Sequence, residues 1–354
     1  MYSYLLLVFV LLAFVSLCEL LPLQKDLKLV IYIIVCILLV FTASTRYGDP
    51  DYTNYLKKYY KVPDWGNESV ILSPQIRMEP GYMFLSGLSR TIGLKFQAFI
   101  AIIAFSSITS CLVFFRRYTP YYFLAVLIYF SHVFILRDML QIRAGLSIAI
   151  AMFALPYIEK RNLARTAMIL GFAAMFHFVG LFFFIVYFSY PYLLKTKTQL
   201  ILLGIGLLIG GFLGIAFFKL LQKTINNPIL WNYIVDSRYS YTLGLLNPVL
   251  IKHFVVLAVL IKNKEFFEKH IPHFNVLLVS YVIAAFWLSA FNMFAIFAGR
   301  IATLFSNVEH VLIPSILLLK KYRYFAFIMI VAYCCVAFFS KNKDLKQLDF
   351  FFNR

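Results

Sequence analysis

The chain has 354 residues, of which 62% are hydrophobic and 14% charged, with a formal net charge of +18. At roughly 20 apolar residues per span this length holds about ten to twelve membrane segments, and no stretch is polar enough for a separate soluble domain. The basic residues lie in short hydrophilic breaks between apolar runs, not on one polar face, which argues against a nucleic-acid partner and matches the pattern of cytoplasmic loops.

The pattern predicts an all-α, polytopic integral membrane protein with a single domain over 1–354. The first span covers about Tyr2–Leu21 and the second about Leu27–Ser44, with Lys25 and Lys28 in the turn between them. The first run has no Lys or Arg ahead of it and no small-residue cleavage pattern, so it reads as a retained helix rather than a signal peptide. The interval 45–80 balances Asp49, Asp51, Asp64, Glu68 and Glu79 against Arg46, Lys57, Lys58, Lys61 and Arg77, and is placed outside. Gly81–Gly93 reads as a short interfacial helix, followed by a span from about Phe96 to Phe115.

Basic breaks then recur at Arg116-Arg117, at Lys160, Arg161 and Arg165, at Lys195 and Lys197, at Lys262, Lys264 and Lys269, and at Lys320, Lys321 and Arg323. If all are cytoplasmic, Thr166–Leu194 must leave and return within about 29 residues, too few for two full spans at 1.5 Å per residue. Two readings remain: a pair of half-length helices meeting near His177, or one long tilted helix with a lone buried histidine. The stretch Leu200–Leu221 carries Gly204, Gly206, Gly210, Gly211 and Gly214, a small-residue stripe read as helix packing. A second outside loop is expected at about 222–247, and further spans at about Pro248–Ile261, Phe274–Asn292, Arg300–Leu319 and Tyr324–Ser340. Cys18, Cys36, Cys111, Cys334 and Cys335 all fall in apolar segments, so neither a disulfide framework nor a zinc site is expected.

Charges inside apolar runs are the functional signal, because one at the bilayer centre costs about 2.5–3.5 kcal/mol and so faces a polar interior. These are Arg143, His177, Lys252, Arg300 and Glu309. Arg143 has no local partner in the sequence, and small neighbours Ala144, Gly145 and Ala149 admit a close helix; its forked, permanently charged guanidinium suits phosphate. Arg137 stands beside Asp138 at an apparent membrane edge. Arg300 opens a span and shares a face with Asn307, seven residues on. Lys252 sits where a lysine can snorkel, and Glu309 with His310 reads as structural. His177 is either a satisfied core histidine or a base near working pH. The run from Arg46 to Tyr55 sets Asp49 and Asp51 among Tyr52 and Tyr55, which suits sugar binding but reads more readily as a turn at Gly48-Asp49-Pro50 before an interfacial helix. Glu79 before Pro80-Gly81 suits either function or helix capping. There is no P-loop, zinc-binding histidine pair or nucleophile elbow, and no carboxylate cluster for a divalent ion.

The ordered series Asp51-Tyr52-x-Asn54-Tyr55, Glu79-Pro80-Gly81-Tyr82, Arg143 to Ala149, Phe176-His177 and Gly299-Arg300 resembles the EpsG family, grouped with Wzy-type polymerases of O-antigen, capsule and exopolysaccharide. The resemblance covers about Arg46 to Pro314. It implies a GT-C-like multi-pass enzyme of the bacterial cytoplasmic membrane that joins oligosaccharide repeat units carried on undecaprenyl diphosphate at the outer face. It further implies a chain-length regulator and a flippase as partners, no cofactor, and metal-independent glycosyl transfer. In that frame Arg143 and Arg300, with Arg137 and Lys252, bind diphosphate; His177 is the base or orients the acceptor hydroxyl, with Asp51 or Glu79 as alternatives; and Tyr52, Tyr55 and Asn307 line the glycan path. Alternatives are a transporter or flippase of lipid-linked sugars, or a membrane acyltransferase.

Overall fold

The computed structural model describes residues 2–47, 50–64, 78–214, 216, 242–341 and 349–350. Most of the expected loop at 222–247 lies outside the described residues, as do Gly48, Asp49 and 65–77. The chain is an all-α polytopic membrane protein. Its helices are, in order, α1 (Tyr2–Ser16), α2 (Lys25–Ser44), α3 (Pro50–Lys61), α4 (Pro80–Thr91), α5 (Phe96–Tyr118) and α6 (Tyr122–Tyr129), which widens into a π-helix over Phe130–Leu140. There follow α7 (Ile142–Ala151), α8 (Leu155–Glu159), α9 (Leu163–Ala174), α10 (Phe183–Ser189), α11 (Thr196–Leu208), α12 (Pro248–Lys262), α13 (Lys264–His270), α14 (Phe274–Ala290), α15 (Ala295–Ser306), α16 (Glu309–Leu312) and α17 (Arg323–Lys341). The strand pairing is a two-residue antiparallel contact of Arg46–Tyr47 with Asp349–Phe350. Among the described residues, six helical stretches are long and apolar enough to cross a membrane, or seven if the bent pair Ala295–Ser306 and Glu309–Leu318 is one span. Shorter apolar helices occupy Tyr4–Glu19, Leu163–Ala174, Phe178–Ser189 and Phe274–Ala290.

Two compact units share the chain: residues 1–154, 164–181 and 313–354 form the first, and 155–163 with 182–312 the second. In the first unit the core that matters is aromatic. Tyr52, Tyr55 and Tyr59 of α3 recur at helical spacing and pack with Tyr82 of α4, Phe96, Phe99, Ile100 and Ile103 of α5, and Ile142 and Leu146 of α7. The two ends of this unit differ in chemistry. The Gln97 amide near the start of α5 donates to the carbonyl of Ser44 at the end of α2, so the two helices run antiparallel. Lys25 and Lys28 at the head of α2 therefore share the far end with Arg116 and Arg117, about 35 Å away along a helix of 23 residues. There Glu19 pairs with Lys28 at 3.5 Å and its carbonyl accepts from Arg323 at 2.6 Å, tying α17 to the same basic end.

Helix ends follow from their sequences. Asn247 caps α12 by accepting from the Val249 amide at 2.9 Å, with Pro248 next in line where its missing N–H costs nothing. Gly93 ends α4 at φ +76, a left-handed position that a Cβ disfavours, while the Leu94 amide reaches back to Ser89 at 2.9 Å. The expected single span at Arg300–Leu319 is corrected: α15 starts at Ala295, stops at Ser306 and is bent by 52° from the next helix. At the break His310 Nδ1 engages the Asn307 carbonyl at 2.7 Å.

The second unit is organised on α14, which is buried on nearly every face. The glycine stripe packs against it as expected, but only Gly206, Gly210 and Gly214, four residues apart, make the approach. A Cβ on Gly206 would meet Ser289 Oγ at 2.6 Å, one on Gly210 would overlap the Ser289 carbonyl, and one on Gly214 would meet Met293 Sδ at 2.5 Å. Gly204 meets nothing within 4 Å. Gly210→Val is therefore expected to destabilise the protein by about 1–3 kcal/mol through overpacking, read as a lower melting temperature in detergent. Gly204→Val should leave it unchanged; equal losses in both would contradict the packing assignment.

Candidate functional site

The site forms where three separate pieces of the first unit meet. The helix α9 stops at Ala174, a short break runs through Met175, Phe176 and His177, and a 3₁₀ turn begins at Phe178. Of the two readings for this region, the structure adopts the broken one. The break is held by backbone contacts that only small residues permit. Gly81, in the first turn of α4, donates its amide to the Met175 carbonyl at 2.7 Å, and a Cβ on it would stand 2.8 Å from that oxygen. Ser147 of α7 donates to the His177 carbonyl at 2.8 Å, while Gly180 leaves room for the Ser147 hydroxyl, 2.7 Å from where its Cβ would sit. Irregular backbone at membrane depth requires such partners.

Arg143 lies in the first turn of α7, just after the chain doubles back at Gln141. Gly145 makes that reversal fit, because an added Cβ would overlap the Arg137 carbonyl. From this position the Arg143 guanidinium donates to Glu79 and forms an ion pair with it. The sequence offered Arg143 no local partner; its partner stands 64 residues away. Glu79 occupies the N-cap position of α4 but makes no side-chain capping bond, so the capping alternative is replaced by the pair. Its other oxygen is 3.9 Å from His177 Nε2. The His177 ring stacks on Phe178 at 4.8 Å, and its Nδ1 accepts from the Val179 amide at 3.2 Å. A neutral His177 that accepts at Nδ1 carries its proton on Nε2, the nitrogen 3.9 Å from Glu79. The guanidinium also lies over Tyr55 and Tyr82, 5.6 and 5.9 Å from the ring centres. Burial pushes both phenols above their usual range, which keeps them neutral.

Glu79, Arg143 and His177 keep side-chain exposures of 19, 20 and 23%, so the cluster opens at the surface of its unit while its tyrosine floor is closed. Nε of Arg143 is buried and has no hydrogen-bond partner among the described residues. Two residues here had no site role in the sequence reading. Tyr82 forms part of the floor, and Lys58 of α3 comes within 3.8 Å of the Met78 thioether, next to Glu79.

The other expected site residues are placed differently. Asp51 is exposed in the first turn of α3. Tyr52 belongs to the core and gives its hydroxyl to Gln97 at 3.0 Å. Arg137 is buried in the π-helix and donates to Gln141 at 2.8 Å, while Asp138 accepts from Ser107 and Tyr129, each at 2.5 Å. In the second unit Arg300 is exposed on α15, and Asn307 is buried at the bend that ends that helix. Lys252 forms an ion pair with the buried Glu309. Among the described residues no three His, Cys, Asp or Glu side chains gather as a metal site.

No curated protein and no solved structure matches the chain. The sequence model of the EpsG family matches residues 29–351, nearly the whole chain, and so takes in α3, the Glu79–Arg143 pair and the break at His177. The chain belongs to the EpsG family, whose proteins are Wzy-like polymerases.

Proposed function

We propose that this protein is a polysaccharide polymerase that transfers an undecaprenyl-diphosphate-linked glycan onto the next lipid-linked repeat unit at the outer face of the bacterial cytoplasmic membrane. The observation that carries the reading is the Glu79–Arg143–His177 cluster, a carboxylate held between a forked cation and an imidazole at an open edge of its unit. The cluster sits at the end of the first unit opposite Lys25, Lys28, Arg116 and Arg117, and a basic end faces the cytoplasm by the positive-inside rule. That supports an outer-face site at headgroup depth, where a lipid diphosphate lies.

In this reading a hydroxyl of the acceptor sugar attacks the anomeric carbon of the donor. The bond from that carbon to the diphosphate oxygen breaks, and undecaprenyl diphosphate leaves with the bonding pair. Arg143 exchanges Glu79 for phosphate oxygens and stabilises the charge that develops there, using donors already fixed by the fold. Glu79, released from the guanidinium, takes the hydroxyl proton. His177 serves as the orienting group, because its Nδ1 is already occupied and its Nε2 lies 3.9 Å from the carboxylate. Diphosphate is a good leaving group, and no resident metal enters the scheme.

The purified full-length protein in detergent, given lipid-linked repeat units of its own polysaccharide, is expected to produce a ladder of longer glycans. A chelator should leave the ladder intact, and His177→Gln should thin it by about ten- to a hundredfold. A transporter would require a sealed compartment and would give no ladder, so its absence with folded protein would refute the assignment.

A further inference from the structure

We propose that Lys58 contacts the substrate directly, binding a phosphate oxygen of the lipid-linked donor beside Arg143. The proposal rests on the polymerase reading above and gives its site a second cation. Of the three lysines of α3, Lys57 and Lys61 are exposed to solvent, whereas Lys58 is half-buried. It lies three residues after Tyr55, on the same side of the helix as the ring beneath Arg143. Its Nζ is 3.8 Å from the Sδ of Met78, the residue before Glu79. A thioether is a weak acceptor and brings no charge, and among the described residues the ammonium has no carboxylate partner. A lysine kept only for solubility would snorkel into water, as Lys57 and Lys61 do.

The surrounding charges supply a reason for its position. Burial lowers the proton affinity of Lys58, the nearby charge of Arg143 lowers it further, and Glu79 raises it. Lys58 and Arg143 both feel the charge of Glu79, and two cations against one carboxylate leave the cluster with an excess of positive charge. When Glu79 accepts the acceptor proton its own charge disappears, at the step in which the departing diphosphate gains one. A second cation placed there stabilises the leaving group when it is most anionic.

Binding of undecaprenyl diphosphate to the purified full-length protein in detergent tests the assignment. Lys58→Met is expected to bind about ten- to a hundredfold more weakly than wild type, and Lys58→Arg close to wild type, which separates lost charge from lost fold. Excess inorganic pyrophosphate should displace the lipid from wild type; failure to do so assigns recognition to the isoprenoid tail and overturns the phosphate contact. If Arg143→Met weakens binding while Lys58→Met binds as wild type, Lys58 is excluded and the polymerase reading survives. If wild type prefers undecaprenyl diphosphate no more than undecaprenol, the polymerase reading falls and takes the Lys58 contact with it.

Discussion

Arg143→Lys is expected to cut polymer formation by about a hundredfold or more, although the charge is retained. Removing one fixed donor from a developing oxyanion typically costs about a factor of 10² to 10³ in rate. The guanidinium has work that an ammonium cannot copy in this place. It donates to Glu79 through Nη1 and lies over Tyr55 and Tyr82. Lysine offers a compact point charge on a flexible stem, without the planar fork or the stacking surface. The loss should appear as fewer glycans of every length, with the melting temperature in detergent little changed. Normal yield and length from Arg143→Lys would remove the arginine from the proposed chemistry. The same exchange at Arg300, exposed on α15, tests that residue by itself: an equal loss would admit it to the reaction, and a neutral result would leave it a surface cation.

The sequence revealed individual site residues better than the relations among them. Arg143 and His177 are conspicuous because charge inside an apolar run is costly, and Glu79 because it precedes Pro80-Gly81. That all three meet could not be read, since the contacts bridge α4, α7 and the break after α9, which lie far apart in the chain. The length of the interval, too short for two spans, left a break and one long tilted helix as alternatives, and the structure adopts the break. Its atomic cause was not legible: Gly81, Gly180 and Ser147 pin the strand through backbone contacts that no spacing announces. Tyr52 was open to two readings. A tyrosine beside carboxylates in a polar interval suits a sugar site, yet its ring fills the core and its hydroxyl goes to Gln97. Lys58 was overlooked because it sits in the run Lys57-Lys58-Tyr59-Tyr60-Lys61, which reads as a solvated helix face until the helix phase is known. The glycine stripe was readable as packing; which glycines pack depended on the phase against Ser289.

Glu79→Gln is the sharper test of mechanism, because it separates two roles that the ion pair alone would confuse. If Glu79 only steadies Arg143, glutamine should serve in part, since its amide oxygen can still accept from the guanidinium. If Glu79 receives the acceptor proton, glutamine fails at the chemical step, and polymer formation should drop by about 10²- to 10⁴-fold. The two roles also predict opposite effects on ligand binding. Loss of the carboxylate leaves Arg143 and Lys58 without a neutralising neighbour in the cluster, so Glu79→Gln should bind undecaprenyl diphosphate at least as tightly as wild type while making almost no glycan. Glu79→Asp, with the charge retained one methylene short, should recover a fraction of the activity and little of the tighter binding. A Glu79→Gln variant that polymerises within a few-fold of wild type would transfer the base to another residue; one that loses binding together with activity would reduce Glu79 to a support for Arg143.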